Sequence, residues 1–368
     1  MSYNLLAILG LALLMIVHES GHFFAARAFG MRVTTFSIGF GPTFFKIIPK
    51  DGYYWFTTAL GKVRLRLFRH NAEKQGPTIF QVGMIPFFAY VKIDGMNPFE
   101  EVDPKDKASY ANASLAGRFG TLFAGPFANY LFASVLFFAA FMIGGRAFLP
   151  TDINVVEGRP AATAGMKDGD KIVEIAGTPV EDWERMAEII ATHPAQAIPV
   201  VVQRGQERVS LMVTTVNEGG RGKIGVAARG PASRAPVSAK EALTLAITKP
   251  PAVVKDLIIG LGQVLTRKAE GELAGPVRIV KEAAKAAESG FSDLLMLLAA
   301  LSAYLGAFNL LPFPALDGGR LMFLVYEGTT RRRFNPKIEA PIHFIGFLML
   351  MGLMLYVTVF NDVGLGAK

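Results

Sequence analysis

The chain has 368 residues, 51% of them hydrophobic and 18% charged, with mean hydropathy +0.36, a net charge of +8 and no cysteine. So apolar and charge-poor a composition excludes disorder, and the lack of cysteine excludes disulfides, thiolate catalysis and cysteine-based metal sites. The positive balance is compatible with nucleic acid, anionic lipid or membrane topology as its cause, so its distribution along the chain must decide.

Residues 1–30 hold the first apolar run, Leu5 to Val17, which continues past a polar break to Phe29. It has neither a basic leading segment nor a small-residue cleavage site, so it reads as a membrane helix and not as a signal peptide. Residues 31–118 alternate apolar with polar or small side chains, as in Tyr53 to Thr58, Val63 to Phe68 and Ile79 to Val82. Period-2 alternation predicts strands. Strands so apolar point to a sheet at the membrane interface, where backbone is tolerated only if it is buried in protein or lines a cavity. Residues 119–145 form a second run, with no charged side chain from Phe119 to Ile143.

Residues 151–230 change character. Short β-prone stretches (Lys171–Ile175, Pro199–Gln203, Val209–Val216) are separated by Gly- and Asp-rich turns, with a helix expected over Glu181–Thr192. The run from Gly158 to Asp170, followed by Lys171 to Gly177, resembles a PDZ domain, which implies a peptide ligand added to a sheet edge. Residues 236–290 read as amphipathic helices, Ser238–Arg267 and Pro276–Glu288, suited to a membrane surface or to packing on the preceding domain. A third membrane helix, 291–316, leads into Leu316-Asp317-Gly318. A loop is expected over 317–337 and a fourth membrane helix over 338–361.

Each apolar run approaches the roughly 20 residues that span a hydrocarbon core. The fold class is therefore a polytopic α-helical membrane protein of about four transmembrane helices. It carries a membrane-associated β region and an inserted extracytoplasmic PDZ domain. Lysine and arginine concentrate in 32–118 and again at Arg320 and Arg331 to Arg333. Both segments fall on one side if the helices alternate, and that side is cytoplasmic. Topology thus accounts for the basic excess, and nucleic acid is not an expected partner, since no basic helix or aromatic RNA motif accompanies the charge.

His18-Glu19-Ser20-Gly21-His22 is an H-E-x-x-H pattern. On a helix its histidines share a face and can reach one metal ion, with Glu19 placed to take a proton from water. A random chain of this length shows the pattern about one time in a hundred, and ionisable groups inside a membrane helix are rarely idle. A catalytic zinc normally takes a third protein ligand. His70 and His193 lie in solvated stretches, and His343 stands at the start of the fourth run, where an interfacial role is the commoner one. Asp317 fits better: it ends the third helix at the level of His22, after Pro312 and Pro314 break that helix, with Gly318 and Gly319 letting the chain turn closely.

These motifs, with Asn309 to Gly318, Gly125 to Asn129, Phe36 to Pro42 and Ile85 to Lys92, resemble the site-2 protease family of zinc intramembrane proteases, in its regulator-of-sigma-E branch. The resemblance implies Zn2+ held by His18, His22 and Asp317, with Glu19 as general base and then proton donor. It also implies Asn129 and Asn309 near the cleft, holding substrate backbone or the oxyanion. The expected partners are a transmembrane protein substrate, such as an anti-sigma factor or a remnant signal peptide, and membrane lipid. The location implied is the bacterial inner membrane, with the active site toward the cytoplasm. Relatives in this branch often carry Gly-Gly where this chain has Phe88-Ala89, and two PDZ domains where one is visible here. A strand edge from 53–68 or 77–93 could pair with an unwound substrate. The alternatives are a non-proteolytic PDZ-bearing scaffold and a metal transporter.

Overall fold

The computed structural model describes residues 2–58, 61, 64–69, 76–97, 100–230, 233–266 and 274–364. The chain divides into two compact units, 1–140 with 239–368, and 141–238.

Among the described residues, four helices are long and apolar enough to cross a membrane. The first, α1 (Tyr3–Ala28), is capped by the Ser2 hydroxyl accepting from the Leu5 N–H. Its buried residues Ala7, Leu14, His18, His22 and Ala26 fall on one stripe. The opposite face exposes Leu5, Leu9 and Leu13, the pattern of a helix that meets protein on one side and lipid on the other. The polar imidazoles thus lie on the protein-facing stripe.

After α1 come four strands, β1 (Val33–Lys50), β2 (Tyr53–Thr58), β3 (Arg64–Arg69) and β4 (Ile79–Ile93), in the order β3-β2-β1-β4. Each of Thr35 to Ile38 on β1 pairs twice with β4, once within Ile79–Val82 and once within Ala89–Lys92. The two long strands therefore fold back on each other, and the segment Ala89–Ile93 lies at the sheet margin. Arg32 fastens the margin's end, donating to Asp94 at 2.6 Å and to Asp106 at 2.8 Å.

Helix α2 (Leu115–Gly144) starts on the Ser114 hydroxyl, which accepts from the Gly117 N–H at 3.1 Å. The smaller unit, 141–238, has a four-stranded sheet of β5 (Lys171–Ile175), β6 (Thr178–Pro179), β7 (Ala197–Arg204) and β8 (Glu207–Thr214), in the order β8-β7-β5-β6. Helix α3 (Trp183–Ala191), capped by Asp182 accepting from the Arg185 N–H, buries Met186, Ile189 and Ile190 in the same core as Ile172, Val200 and Val202. A cavity of about 580 Å³ lies between α3 and the segment Gly222–Val226, with Met186 and Ile190 on one wall and Ile224 and Val226 on the other.

Returning to the larger unit, α4 (Ala239–Leu265) and α5 (Pro276–Ser289) precede α6 (Phe291–Asn309). The third apolar run stops being helical at Asn309, earlier than 316, because Pro312 and Pro314 cannot donate to the helix. The segment read from the sequence as a loop, 317–337, is largely the helix α7 (Asp317–Thr330). Its two glycines masked the helix in the sequence, but Asp317 complements the positive N-terminus. Leu321 and Leu324 bury against Leu122 of α2. Glu327 accepts from both terminal nitrogens of Arg118 on α2, at 2.5 and 3.0 Å, which holds the Glu327 carboxyl below its ordinary value. Helix α8 (Pro336–Tyr356) is the last apolar helix, with Pro at its first position.

In the smaller unit, Asp170 is 1% exposed and accepts two hydrogen bonds of 2.8 Å from the Arg204 guanidinium, which holds its carboxyl below the usual range. A depressed folded-state value gives stability that is present above the unfolded value, near pH ~3.9, and lost as the pH falls through the folded value. Amide exchange of 141–238 in the intact protein, corrected for intrinsic rates, should therefore lose protection below about pH 4. Arg204→Gln should lower that protection at pH 7. Equal protection in the two proteins at pH 7 would contradict this role for the pair.

Candidate active site

Consecutive turns of α1 carry His18 and His22, and α7 begins with Asp317. The three side chains converge: His18 Nε2 lies 3.1 Å from Asp317 Oδ2, His22 Nε2 lies 3.3 Å from the same oxygen, and the two Nε2 atoms are 3.2 Å apart. Both imidazoles are buried. The outer nitrogen of each ring is also engaged. His22 Nδ1 donates to the Thr121 carbonyl at 2.8 Å, and His18 Nδ1 lies 3.1 Å from the Asn129 amide.

Bonds of about 2.0–2.1 Å to a tetrahedral ion separate neighbouring donors by ~3.3–3.4 Å, close to the spacing of the three atoms here. An imidazole that ligates through Nε2 carries its proton on Nδ1 and needs an acceptor there. Thr121 supplies one for His22. Asn129 Oδ1 is buried without a partner, and the other orientation of the same amide brings that oxygen onto His18 Nδ1. The residues fit a tetrahedral divalent ion of borderline softness.

Such proximity demands close helix packing, and glycine permits it. A Cβ on Gly125 of α2 would lie 2.3 Å from His22 Nε2, and one on Gly21 of α1 would lie 2.3 Å from the Ala124 carbonyl. Small residues at a membrane-helix interface let backbones approach and let polar groups bond across helices. The Ser302 hydroxyl on α6 does so, donating to the Asn129 carbonyl at 2.8 Å.

Glu19 is half-buried and faces the same cavity, of about 600 Å³, as His18, His22 and Asp317. It shares that cavity with Val91, at the margin of β4. Tyr90, Val91, Lys92 and Ile93 also line the cavity, so the margin of the sheet runs along the cluster. Of the other residues singled out in the sequence, Asn309 lines the cavity but donates its amide to the Leu305 carbonyl of its own helix. Asn129 is fully buried against His18, away from the open cleft. His193 bonds to the Ile189 carbonyl at 2.8 Å within the smaller unit, and His70 lies outside the described residues. The Thr121 partner acts through a backbone atom, which leaves no residue-type signal.

The fold and site together define a polytopic membrane protein with a two-histidine, one-carboxylate cluster between its helices and a free-standing acid beside it. Against known proteins, the model of peptidase family M50 matches residues 6–67 and 62–353. The chain belongs to this family and is a metalloprotease. It is 31% identical over 370 residues to the protein all3971 of Nostoc sp., covering 96% of this chain and 94% of the relative. It is 30% identical to the zinc metalloprotease RasP of Geobacillus kaustophilus, covering 95% of each chain. It is 29% identical to the probable protease eep of Enterococcus faecalis, covering 95% of this chain and 96% of the relative.

Gly125→Ala should lower Zn2+ affinity by at least about tenfold, the scale typical of a displaced support for a ligand, with the helix content by circular dichroism unchanged. Gly352→Ala, whose Cβ would meet open space, should bind as wild type does. Wild-type affinity in Gly125→Ala would contradict the close-approach role.

Proposed function

We propose that this chain is a zinc-dependent intramembrane endopeptidase that hydrolyses peptide bonds within membrane-spanning segments of single-span proteins. The observation that carries the reading is the meeting of His18, His22 and Asp317 in one cavity with Glu19, beside the margin of β4. In this reading His18, His22 and Asp317 hold the zinc. Bound zinc supplies Lewis acidity, which activates water and polarises a carbonyl.

Every other part of the chemistry falls to the chain's own groups. The Glu19 carboxylate takes a proton from the attacking water and returns it to the amide nitrogen as the carbon–nitrogen bond breaks. Thr121 and Asn129 fix the rings of His22 and His18. A substrate helix hides its carbonyls in internal hydrogen bonds, so it must unwind before hydrolysis. The margin Ala89–Ile93 offers strand pairing to the unwound segment. Asn309, on the cavity wall, is available to the substrate backbone.

The smaller unit is read as a PDZ domain whose ligand would be a peptide laid between α3 and Gly222–Val226. The apolar walls there support this, as do Arg221 and Lys223 beside them. Alternating membrane helices and the basic residues of 32–118 support an inner-membrane protein with its site toward the cytoplasm and 141–238 outside.

Purified protein reconstituted with a candidate single-span substrate tests the reading. Wild type should cleave within the membrane segment. Glu19→Gln should retain zinc and lose cleavage by at least ~10³-fold, of the order expected for general-base loss. Val91→Pro, which removes the margin's N–H, should also retain zinc and fail to cleave. Cleavage persisting in Glu19→Gln would overturn the mechanism, and metal flux without cleavage would overturn the activity.

A further inference from the structure

Asp317 is presented by the connection Leu310–Leu316 between α6 and α7. With prolines at 312 and 314, that connection has few N–H groups with which to hold itself. Its internal backbone bonds are short-range: Leu311 to the Phe308 carbonyl, Phe313 to the Leu311 carbonyl, and Leu316 to the Phe313 carbonyl. Two residues before Asp317, Ala315 sits at φ +79°, a left-handed conformation that a side-chain-bearing residue rarely adopts. Strain of this kind persists only where the surroundings enforce it.

Helix α8 does the enforcing, with two residues that share a face. His343 Nδ1 accepts the Ala315 N–H at 2.9 Å. One turn on, Gly346 approaches so closely that a Cβ there would lie 2.4 Å from the Pro314 Cβ and 2.6 Å from its carbonyl oxygen. The His343 side chain is 12% exposed, and its ring stacks edge-on with Phe323 of α7 at 5.5 Å between centroids. An imidazole that accepts at Nδ1 is neutral and carries its proton on Nε2. The last membrane helix thus grips the connection at the point where its backbone is strained, beside the carboxylate of the cluster.

We infer that His343 is a positioning residue: by holding the Ala315 N–H it fixes the register of the Pro314–Leu316 turn, and so the reach of the Asp317 carboxylate toward His18 and His22. This assigns α8, which contributes no donor to the cluster, the task of setting its third arm. The inference rests on the reading of Asp317 as a metal ligand.

The test compares His343→Asn, His343→Gln, His343→Leu and Asp317→Ala in the intact detergent-purified protein. Co2+ and Zn2+ affinities are measured by chelator competition, together with the visible absorption of the Co2+ form. Asparagine carries its oxygen where Nδ1 stands and glutamine does not. His343→Asn should therefore keep metal affinity within about threefold of wild type and keep the Co2+ spectrum. His343→Gln and His343→Leu should lose roughly 10–100-fold and shift the spectrum, the range expected when a ligand's support is removed. Melting of the metal-free proteins, measured in chelator, separates this from misfolding, and it should be similar in His343→Asn and His343→Gln. Wild-type affinity in His343→Leu, or equal losses in His343→Asn and His343→Leu, would overturn the inference. If Asp317→Ala binds as tightly as wild type, the ligand reading itself falls, and the inference with it. If Asp317→Ala is weak while His343→Leu is normal, only the inference falls.

Discussion

Two imidazoles and a carboxylate stand within 3.3 Å of one another inside a bundle whose outer faces are made for hydrocarbon. They are largely buried, and a buried ionisable group left unpartnered is expensive. The cluster must satisfy itself, by mutual contact and by outer partners that complete each ring. His22 finds the Thr121 carbonyl and His18 finds the Asn129 amide, so helix α2 is obliged to pass close beside α1. In the proposed reading a metal ion would balance the same set, held by the inward-facing donors, with each ring's proton left to its outer partner.

Much of the helical architecture follows from that demand. Gly21 and Gly125 allow α1 and α2 to touch backbone to side chain at the level of the histidines. Ser302 secures α6 to α2 through the carbonyl of the same Asn129 whose side chain meets His18. The Arg118–Glu327 pair ties α7 to the start of α2 at the other end of the segment that carries Asp317. The sheet contributes a different element, a strand margin whose residues Tyr90–Ile93 line the same cavity as Glu19. In the proposed reading, an activated water and a way to hold an extended chain would share that cavity.

The amino-acid sequence made some of this legible for stated reasons. The apolar runs showed the membrane helices because hydropathy over some 20 residues has few other causes. H-E-x-x-H showed its shared face because the i, i+4 spacing is a property of any helix. Asp317 could be matched to it because prolines end α6 at a defined level. The long helix after Asp317 stayed hidden, since Gly318-Gly319 reads as a turn and the contacts that favour helix there, to Leu122 and Arg118, come from α2. Asn129 was visible as a polar residue in an apolar run, but its turn toward His18 and not toward the cleft depends on how the two helices rotate against each other. The Thr121 carbonyl left no trace, because backbone groups are the same at every residue. The double pairing of β1 with β4 was equally invisible, because alternation reports strands and not their partners.

The central claim is that His18, His22 and Asp317 bind one zinc ion. X-ray absorption at the zinc edge of the purified protein addresses it most directly. The account predicts one zinc per chain in a four-coordinate nitrogen and oxygen shell at about 2.0–2.1 Å, with the outer-shell scattering of two imidazoles. In Asp317→Ala the two-imidazole signature should remain while the affinity falls. A shell with fewer than two imidazoles, or a zinc content that is the same with His18 and His22 both replaced, would contradict it.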